Sequence, residues 1–193
     1  GKSSTMAALI QEINATETRH IVTIESPIEY TFRPRRAYIR QREVGRDTPS
    51  FEQALIDSLR EDPDVLMVGE MRDLETMRLT LSASETGHLV LTTLHTTDAG
   101  STINRILGMF PNEDEQQIRI RLADALRYIV CQRLLPKTGG GRVATFEILG
   151  TSLRVKDAIL NGEAEGKTFY DIMEAGNAFG MTTFDQHIVS LYE

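Results

Sequence analysis

Short apolar runs alternate along the chain with segments of helical periodicity. Three of these runs have the composition of strands buried on both faces of a parallel sheet: 21–24, 65–68 and 89–94. Each run is followed by a polar side chain that is capable of catalysis: Glu25 after the first, Glu70 one glycine after the second, and His95 after the third. Ligands of parallel sheets bind beyond the carboxyl ends of the strands. The pattern therefore predicts a binding site at that edge of the sheet.

Caps, turn residues and periodicity predict the remaining elements. Further strands are expected over 38–44 and 142–149. Helices are expected over 5–13, 50–60, 73–87, 153–160 and 169–174, with a last one starting at Thr183. Asn112 and Glu115 resemble a capping box, so a long helix is also expected from there to Pro136.

This order of elements predicts an α/β fold with a mainly parallel sheet. Strands and helices alternate through residues 1–150, as they do when helices cover both faces of such a sheet. Beyond residue 150 only helical periodicity is left. We therefore expect one α/β domain over 1–150 and a small helical C-terminal region over 151–193.

The first residues of the chain match the final part of a phosphate-binding loop. Gly1, Lys2, Ser3 and Ser4 fit the end of the pattern G-x-x-x-x-G-K-[ST], in which backbone amides and the lysine bind phosphates and the hydroxyl reaches magnesium. A Gly-Lys-Ser triplet alone is common and usually binds nothing, but here a helical segment follows it directly. The upstream glycines of the pattern are absent, so we expect the chain to begin inside its own phosphate loop.

Three carboxylates follow the predicted strands. Glu25 and Glu29 flank Pro27, and a proline-stiffened turn can hold a carboxylate rigidly near a reacting water. Glu70 can hold the water of a magnesium ion or polarise the attacking water, although Gly69 stands where many such strands have an aspartate. The alternatives are a solvated acidic turn for the first pair and a plain strand exit for Glu70.

Two histidines border the run 89–94. His95 can hydrogen-bond a γ-phosphate and respond to its loss, whereas the alternative is an ordinary histidine at the rim of the core. His88, at the start of the strand, carries a weaker signal of the same kind.

Composition limits the classes of partner. The 193 residues carry a formal net charge of −7, and a nucleic-acid partner is not expected because phosphate binding needs clustered Lys and Arg; one basic patch over 33–42 is the exception. Cys131 is the single cysteine, which excludes an internal disulfide and a multi-cysteine zinc site. No apolar run approaches the roughly 18 residues that span a bilayer, so direct membrane insertion is not expected.

Six ordered segments carry a resemblance to a known family. They are GKSST at 1–5, TIESPIEY at 23–30, QREV at 41–44, LREDPD at 59–64, VGEMRD at 68–73, and ETGH with TLHTT within 85–97. The chain resembles the secretion ATPases of the type II/type IV pilus superfamily, and within it the pilus retraction motors. The resemblance implies a RecA-like P-loop ATPase core, ATP and Mg²⁺ as ligands, and twitching motility as the biological role. It also implies a homohexamer at the cytoplasmic face of the inner membrane, docked on the pilus platform protein.

The resemblance also implies a role for each site residue. Gly1 and Lys2, with Ser4, bind the phosphates of ATP, and Ser3 is a magnesium ligand. Glu70 holds magnesium, directly or through water, and Glu29 is the general base. His95 senses the γ-phosphate and His88 couples that state to the strand. An arginine of a neighbouring subunit often completes such sites, and the arginines near motif ends are Arg42, Arg60 and Arg72.

Two sequence features bear on the branch of the superfamily. Assembly and secretion relatives typically carry a four-cysteine zinc insertion, which a single Cys131 excludes here. Ser26 stands where the family usually has an aspartate, which removes a charge beside the site. The alternatives are a pilus-assembly, type II secretion or DNA-transfer ATPase of the same superfamily, and a nucleotide-gated regulator that does not hydrolyse ATP.

Overall fold

The computed structural model describes residues 1–192 and divides into two compact units. One unit comprises Lys2–Leu94, and the other holds Gly1 together with the residues from His95 onward. This division falls at residue 94, whereas the sequence predicts a boundary near residue 150, which stays a prediction.

The N-terminal unit is an α/β structure with a parallel sheet, as predicted. Its elements are α1 (Lys2–Thr16), β1 (His20–Glu25), β2 (Tyr38–Glu43), α2 (Phe51–Leu59), β3 (Val65–Val68), α3 (Leu74–Glu85) and β4 (Leu89–Thr92). The strand order is β2-β1-β3-β4, and every neighbouring pair is parallel. Ile24 is paired with Val68, and Val68 with Thr92, so the strands end at one common edge.

Helices cover both faces of this sheet, which explains the continuous apolar runs. On one face, Ile10 of α1 packs with Ile21, Val65 and Met67. On the other face, Ala54 and Leu55 of α2 pack against Ile24 and Val68, and Ala83 of α3 packs against Val22 and Leu66. Successive side chains of a strand point to opposite faces, so strands covered on both sides are apolar at nearly every position.

Two predicted caps open the helices on the second face. The Ser50 hydroxyl accepts a hydrogen bond from the Gln53 backbone at 3.1 Å, and the Asp73 carboxylate accepts one from the Thr76 backbone at 2.8 Å. Each bond satisfies one of the N–H groups that have no partner within the first turn of a helix.

The C-terminal unit combines helices with one antiparallel hairpin. Its elements are α4 (Ala99–Leu107), α5 (Glu115–Ala125), β5 (Tyr128–Pro136), β6 (Arg142–Gly150), α6 (Leu153–Asn161), α7 (Phe169–Glu174) and α8 (Phe184–Tyr192), with short 3₁₀ turns at Asn112–Asp114 and Asn177–Phe179. β5 pairs with β6 from Tyr128 opposite Gly150 to Pro136 opposite Arg142. Gly139, Gly140 and Gly141 all have positive φ angles in the connecting turn, where a side chain would be strained.

The long helix predicted from Asn112 to Pro136 is wrong. The helix ends at Ala125, Leu126 has an extended backbone, and β5 begins at Tyr128. Burial alternates at the start of β5, where Tyr128 and Val130 are exposed and Ile129 and Cys131 are buried. A period of two is the signature of a strand, and the apolar residues at helical spacing concealed it.

Two further differences concern helix starts in the same unit. The predicted capping box at Asn112 and Glu115 is wrong, because Pro111 precedes a 3₁₀ turn that has no side-chain cap. Helix α4 was missed by the sequence prediction, although Asp98 caps it by accepting from the Ser101 backbone at 2.7 Å. The periodic residues Ile103, Ile106 and Leu107 after Asp98 are the signal that could have revealed it.

Candidate nucleotide-binding site

The start of α1 lies at the carboxyl edge of the sheet. The Lys2 ammonium group donates to the Leu94 carbonyl oxygen at 3.2 Å, just beyond β4. Ser3 Oγ donates to Glu29 Oε1 at 2.7 Å, and Ser4 Oγ lies 2.9 Å from the Tyr30 hydroxyl oxygen. The first N–H groups of a helix have no partners within the helix and carry partial positive charge. This end of α1 therefore offers both backbone amides and a lysine to an anion.

Glu29 lies in the loop between β1 and β2, directly against the start of α1. Its side chain is exposed, and the 2.7 Å contact joins it to the predicted magnesium ligand Ser3. A hydroxyl group has one proton to donate and two lone pairs. Ser3 can therefore keep its bond to Glu29 while a lone pair faces a cation.

Glu25 occupies a different environment from Glu29, although both flank Pro27. It is the last residue of β1 and only 8% exposed. Its Oε1 atom accepts hydrogen bonds from Thr23 Oγ1 at 2.7 Å and from Gln41 Nε2 at 3.2 Å. A solvated acidic turn is therefore excluded for Glu25, whose charge is buried and compensated by two donors.

Gly69 marks a close approach of β3 to β1. Its backbone N–H donates to the Ile24 carbonyl oxygen at 2.8 Å, and an added Cβ would lie 3.1 Å from the same oxygen and 3.4 Å from Glu25 Cα. Both neighbours are backbone atoms of the sheet and cannot rotate away. A side chain at this position would therefore require a small movement of the two strands.

Glu70 follows Gly69 and is held in place by its surroundings. Its side chain is 14% exposed and forms an ion pair with Arg72, whose own side chain is 72% exposed. The Thr93 hydroxyl donates to the Gly69 carbonyl oxygen at 2.6 Å, and the Met71 backbone donates to the Thr93 carbonyl oxygen at 3.3 Å. The segment carrying Glu70 is thereby tied to the end of β4.

The two predicted histidines lie at different ends of β4. His88 precedes the strand, and its Nδ1 atom lies 2.9 Å from the Ala83 carbonyl oxygen and 3.1 Å from Thr86 Oγ1 at the end of α3. It therefore lies at the opposite edge of the sheet from Glu70 and is not brought to Ser3 or Glu29. His95 is exposed and is the first residue of the C-terminal unit after Gly1. The roles of both histidines stay predictions.

Comparison with known proteins places the chain in a family. The profile described as type II/IV secretion system protein matches residues 1–161. The chain belongs to this family.

Its relatives include a pilus retraction ATPase and a twitching motility protein. The chain is 45% identical over 191 residues to the type IV pilus retraction ATPase PilT of Pseudomonas aeruginosa, covering 99% of this chain and 55% of the relative. It is 46% identical over 193 residues to a twitching motility protein of Neisseria gonorrhoeae, covering 99% and 51%. A crystal structure of the pilus retraction motor PilT with bound ADP matches with a TM-score of 0.87 and 47% identity, covering 100% of this chain and 54% of that one. The chain thus spans about half the length of these family members.

The oxygen atoms at this edge of the sheet are suited to a magnesium ion that is coordinated jointly by protein and phosphate oxygens. Within residues 1–192, no three His, Cys, Asp or Glu side chains are grouped so that they could hold a metal ion by themselves. Magnesium in phosphoryl-transfer sites takes one or two protein oxygen ligands and completes its shell with phosphate and water. The Ser3 hydroxyl and the Glu70 carboxylate are oxygen atoms of the type that such a magnesium ion takes as ligands.

The arginines near motif ends differ in their availability. Arg42 is paired with Glu61 and lies 3.9 Å from Asp57, and its side chain is 14% exposed, so it is engaged within its own chain. Arg72 is paired with Glu70. Arg60 is exposed at the end of α2.

As far as residues 1–192 are concerned, no helix is both long and apolar enough to cross a membrane.

Three contacts at this edge were missed by sequence reasoning. They involve Gln41 against Glu25, Thr93 against Gly69, and Tyr30 against Ser4. Gln41 stands in one of the six segments that carry the family resemblance, and that segment was the available signal.

Proposed function

We propose that this chain is the ATP-hydrolysing part of a hexameric motor that drives type IV pilus retraction and twitching motility. The contact that supports this proposal most directly is the 2.7 Å hydrogen bond between Ser3 and Glu29. It joins the end of the phosphate loop to a carboxylate that can act as a base. The similarity to PilT of Pseudomonas aeruginosa, over nearly the whole chain, supports the same activity.

In the proposed reaction, water attacks the γ-phosphorus of ATP while the bond to the bridging oxygen breaks and ADP leaves. Glu29 accepts the proton of the attacking water. The Lys2 ammonium group has three donors, so it can bind phosphate oxygens and keep its bond to the Leu94 carbonyl oxygen. Gly1 and Ser4 contribute to phosphate binding through the backbone.

Magnesium supplies charge neutralisation when it is bound with ATP. Ser3 would ligate it directly, and Glu70 would hold it directly or through water. Glu25 would add a negative charge at the same edge of the sheet as Glu70, because the carboxyl ends of β1 and β3 are neighbours. His95 is proposed to sense the γ-phosphate, and His88 to couple that state to β4 from the far end of the strand. The proposed partners are further copies of the chain in the hexamer and the pilus platform protein at the inner membrane, with the motor on the cytoplasmic face.

The decisive experiment compares Glu29→Gln with the unchanged sequence in the full-length protein. We expect turnover to fall about 10²- to 10⁴-fold, the range for a lost general base, with nucleotide affinity nearly unchanged. Glu12→Gln on the exposed side of α1 is the matched control, and it should behave like the unchanged protein.

Three outcomes would redirect the proposal. Normal turnover by Glu29→Gln would remove Glu29 from the mechanism. Nucleotide binding without turnover by the unchanged protein would favour a regulator that does not hydrolyse ATP. Pilus elongation instead of retraction in cells would favour an assembly motor of the same superfamily.

A further inference from the structure

The loop that carries Glu29 has little regular structure of its own. Residues 26–37 connect β1 to β2 without a helix or strand. A backbone segment of this kind must find hydrogen-bond partners outside itself wherever water is excluded. The position of Glu29 therefore depends on which side chains bind the loop.

Strand β2 supplies these side chains on both sides of Glu29. Glu43 Oε2 accepts a hydrogen bond from the Ile28 backbone N–H at 2.9 Å. Gln41 Nε2 donates to the Tyr30 carbonyl oxygen at 2.8 Å, and Gln41 Oε1 accepts from the Phe32 backbone N–H at 3.0 Å. The residues directly before and after Glu29 are thus both bonded to β2.

Gln41 also reaches the buried carboxylate of the site. Its Nε2 group lies 3.2 Å from Glu25 Oε1, in addition to its bond with Tyr30. A primary amide has two N–H donors and a carbonyl acceptor in one plane, so a single side chain can make all three contacts. A carboxylate at this position would lack the two N–H donors, and an aliphatic side chain would lack the donors and the acceptor.

The far end of the loop is held independently of β2. Asn14 is completely buried in α1, accepts from the Arg35 backbone through Oδ1 at 2.9 Å, and donates to the Arg33 carbonyl oxygen at 2.9 Å. Loss of the Gln41 contacts should therefore loosen the part around Glu29 while residues 33–36 stay attached to α1.

We propose that Gln41 and Glu43 are positioning residues that fix Glu29 against Ser3 for proton abstraction. This inference rests on the proposed function, since it assigns Glu29 the role of base. Both side chains bind the loop and not the start of α1, so they should affect the chemical step more than nucleotide binding. Misplacement of a reacting group by about 1 Å can reduce a rate about 100-fold.

The experiment measures turnover and nucleotide affinity of Gln41 variants in the full-length protein. Gln41→Met keeps the size of the side chain and removes all three contacts, and we expect kcat to fall about 10- to 100-fold with little change in the affinity for ADP or ATP. Arg40→Ala is the matched control on the same strand, since the exposed Arg40 pairs with Glu61 at 3.1 Å and not with the loop. It should retain normal turnover.

A second variant separates positioning from a general loss of structure. Gln41→Glu keeps an acceptor for Phe32 and loses the donors to Tyr30 and Glu25. The neighbouring Glu25 carboxylate favours protonation of the new carboxyl, which restores one donor. Relative to the unchanged protein at the same pH, the loss of turnover should therefore be smaller near pH 6 than near pH 8. A defect of folding alone would not recover in this way.

A double-mutant comparison shows whether Gln41 acts through Glu29. Once Glu29→Gln has removed the base, adding Gln41→Met should lower turnover by less than about twofold further.

For Glu43, Glu43→Gln keeps an acceptor for the Ile28 backbone N–H. It should therefore retain most of the turnover that Glu43→Ala loses.

The results separate this inference from the function it rests on. If Glu29→Gln is fully active, both are overturned. If Glu29→Gln is inactive while Gln41→Met has normal kcat, the positioning role alone is overturned. Equal losses in kcat and affinity, or effects of Gln41→Met and Glu29→Gln that multiply, would also overturn it.

Discussion

Gly69→Ala tests whether the close approach of β1 and β3 shapes the catalytic edge. The new Cβ would lie 3.1 Å from the Ile24 carbonyl oxygen and 3.4 Å from Glu25 Cα, whereas ordinary contacts begin at 3.4 Å. The strands must therefore move apart by about 0.3 Å, and overpacking of this kind costs about 1–3 kcal/mol. Because Glu25 and Glu70 flank the contact, turnover should fall as well.

Urea unfolding of Gly69→Ala measures the predicted cost. The midpoint should shift to lower urea while the slope stays the same, since the change acts on the folded sheet and not on the exposed area. Gly100→Ala is the matched control, because its new Cβ would meet Asp98 Oδ1 and Phe169 Cδ2 at 3.6 Å, which are ordinary contacts. That variant should be neutral or more stable by up to about 1 kcal/mol, since alanine favours helices over glycine.

An unchanged midpoint and unchanged turnover in Gly69→Ala would show that the close approach of β1 and β3 tolerates a side chain. An equal loss of stability in Gly100→Ala would show that the loss in Gly69→Ala does not come from this close approach. A loss of stability with normal turnover would keep the steric argument and show that the strand spacing does not control the carboxylates.

Two further predictions concern ligand binding and pH. Lys2→Ala should weaken nucleotide binding measured by titration with a fluorescent ADP analogue, whereas Glu70→Gln should bind ATP yet hydrolyse it slowly; equal binding defects in both would contradict the separation of roles. Burial raises the pKa of Glu147, which is 4% exposed and accepts a hydrogen bond from the Ala99 backbone at 2.8 Å. The folded state then keeps the proton of Glu147 up to a higher pH than the unfolded state does. The contribution of Glu147 to the free energy of unfolding is therefore greatest below the unfolded pKa and is lost as pH rises through the folded pKa. Glu147→Gln cannot ionise and keeps an acceptor for Ala99, so its melting temperature relative to the unchanged protein should rise between about pH 4 and pH 7; a difference independent of pH would contradict this.

The parallel sheet could be predicted because its strands follow simple local rules. The buried run 65–68 is apolar at every position, the run 21–24 at all but Thr23, and polar caps such as Asp73 mark helix starts. The hairpin strand β5 could not be separated from the helix before it, since Ile118, Leu122 and Ala125 continue into Ile129 at helical spacing. Only its antiparallel pairing with β6, which is a non-local contact, fixes the period of two.

The sequence names candidate residues for the site but does not show how they are connected. Ser3, Glu29 and Glu70 stand in recognisable segments, yet nothing in their spacing shows that Ser3 bonds to Glu29 or that Arg72 pairs with Glu70. The hydrogen bonds of Gln41 depend on the register of β2 against β1, which places Gln41 opposite Thr23 and beside Glu25. Register is a property of the folded sheet and cannot be read from one strand.

Glu25 and Glu29 show how the fold separates two residues that the sequence treats alike. Each stands two positions from Pro27, and each can carry the same negative charge. Glu25 ends β1 and is buried, and its Oε1 atom accepts hydrogen bonds from Thr23 and Gln41. Glu29 is exposed and contacts Ser3 at the start of α1. A base must release its proton to solvent after each turnover, and this requirement favours Glu29, with Glu25 as the fixed charge beside it.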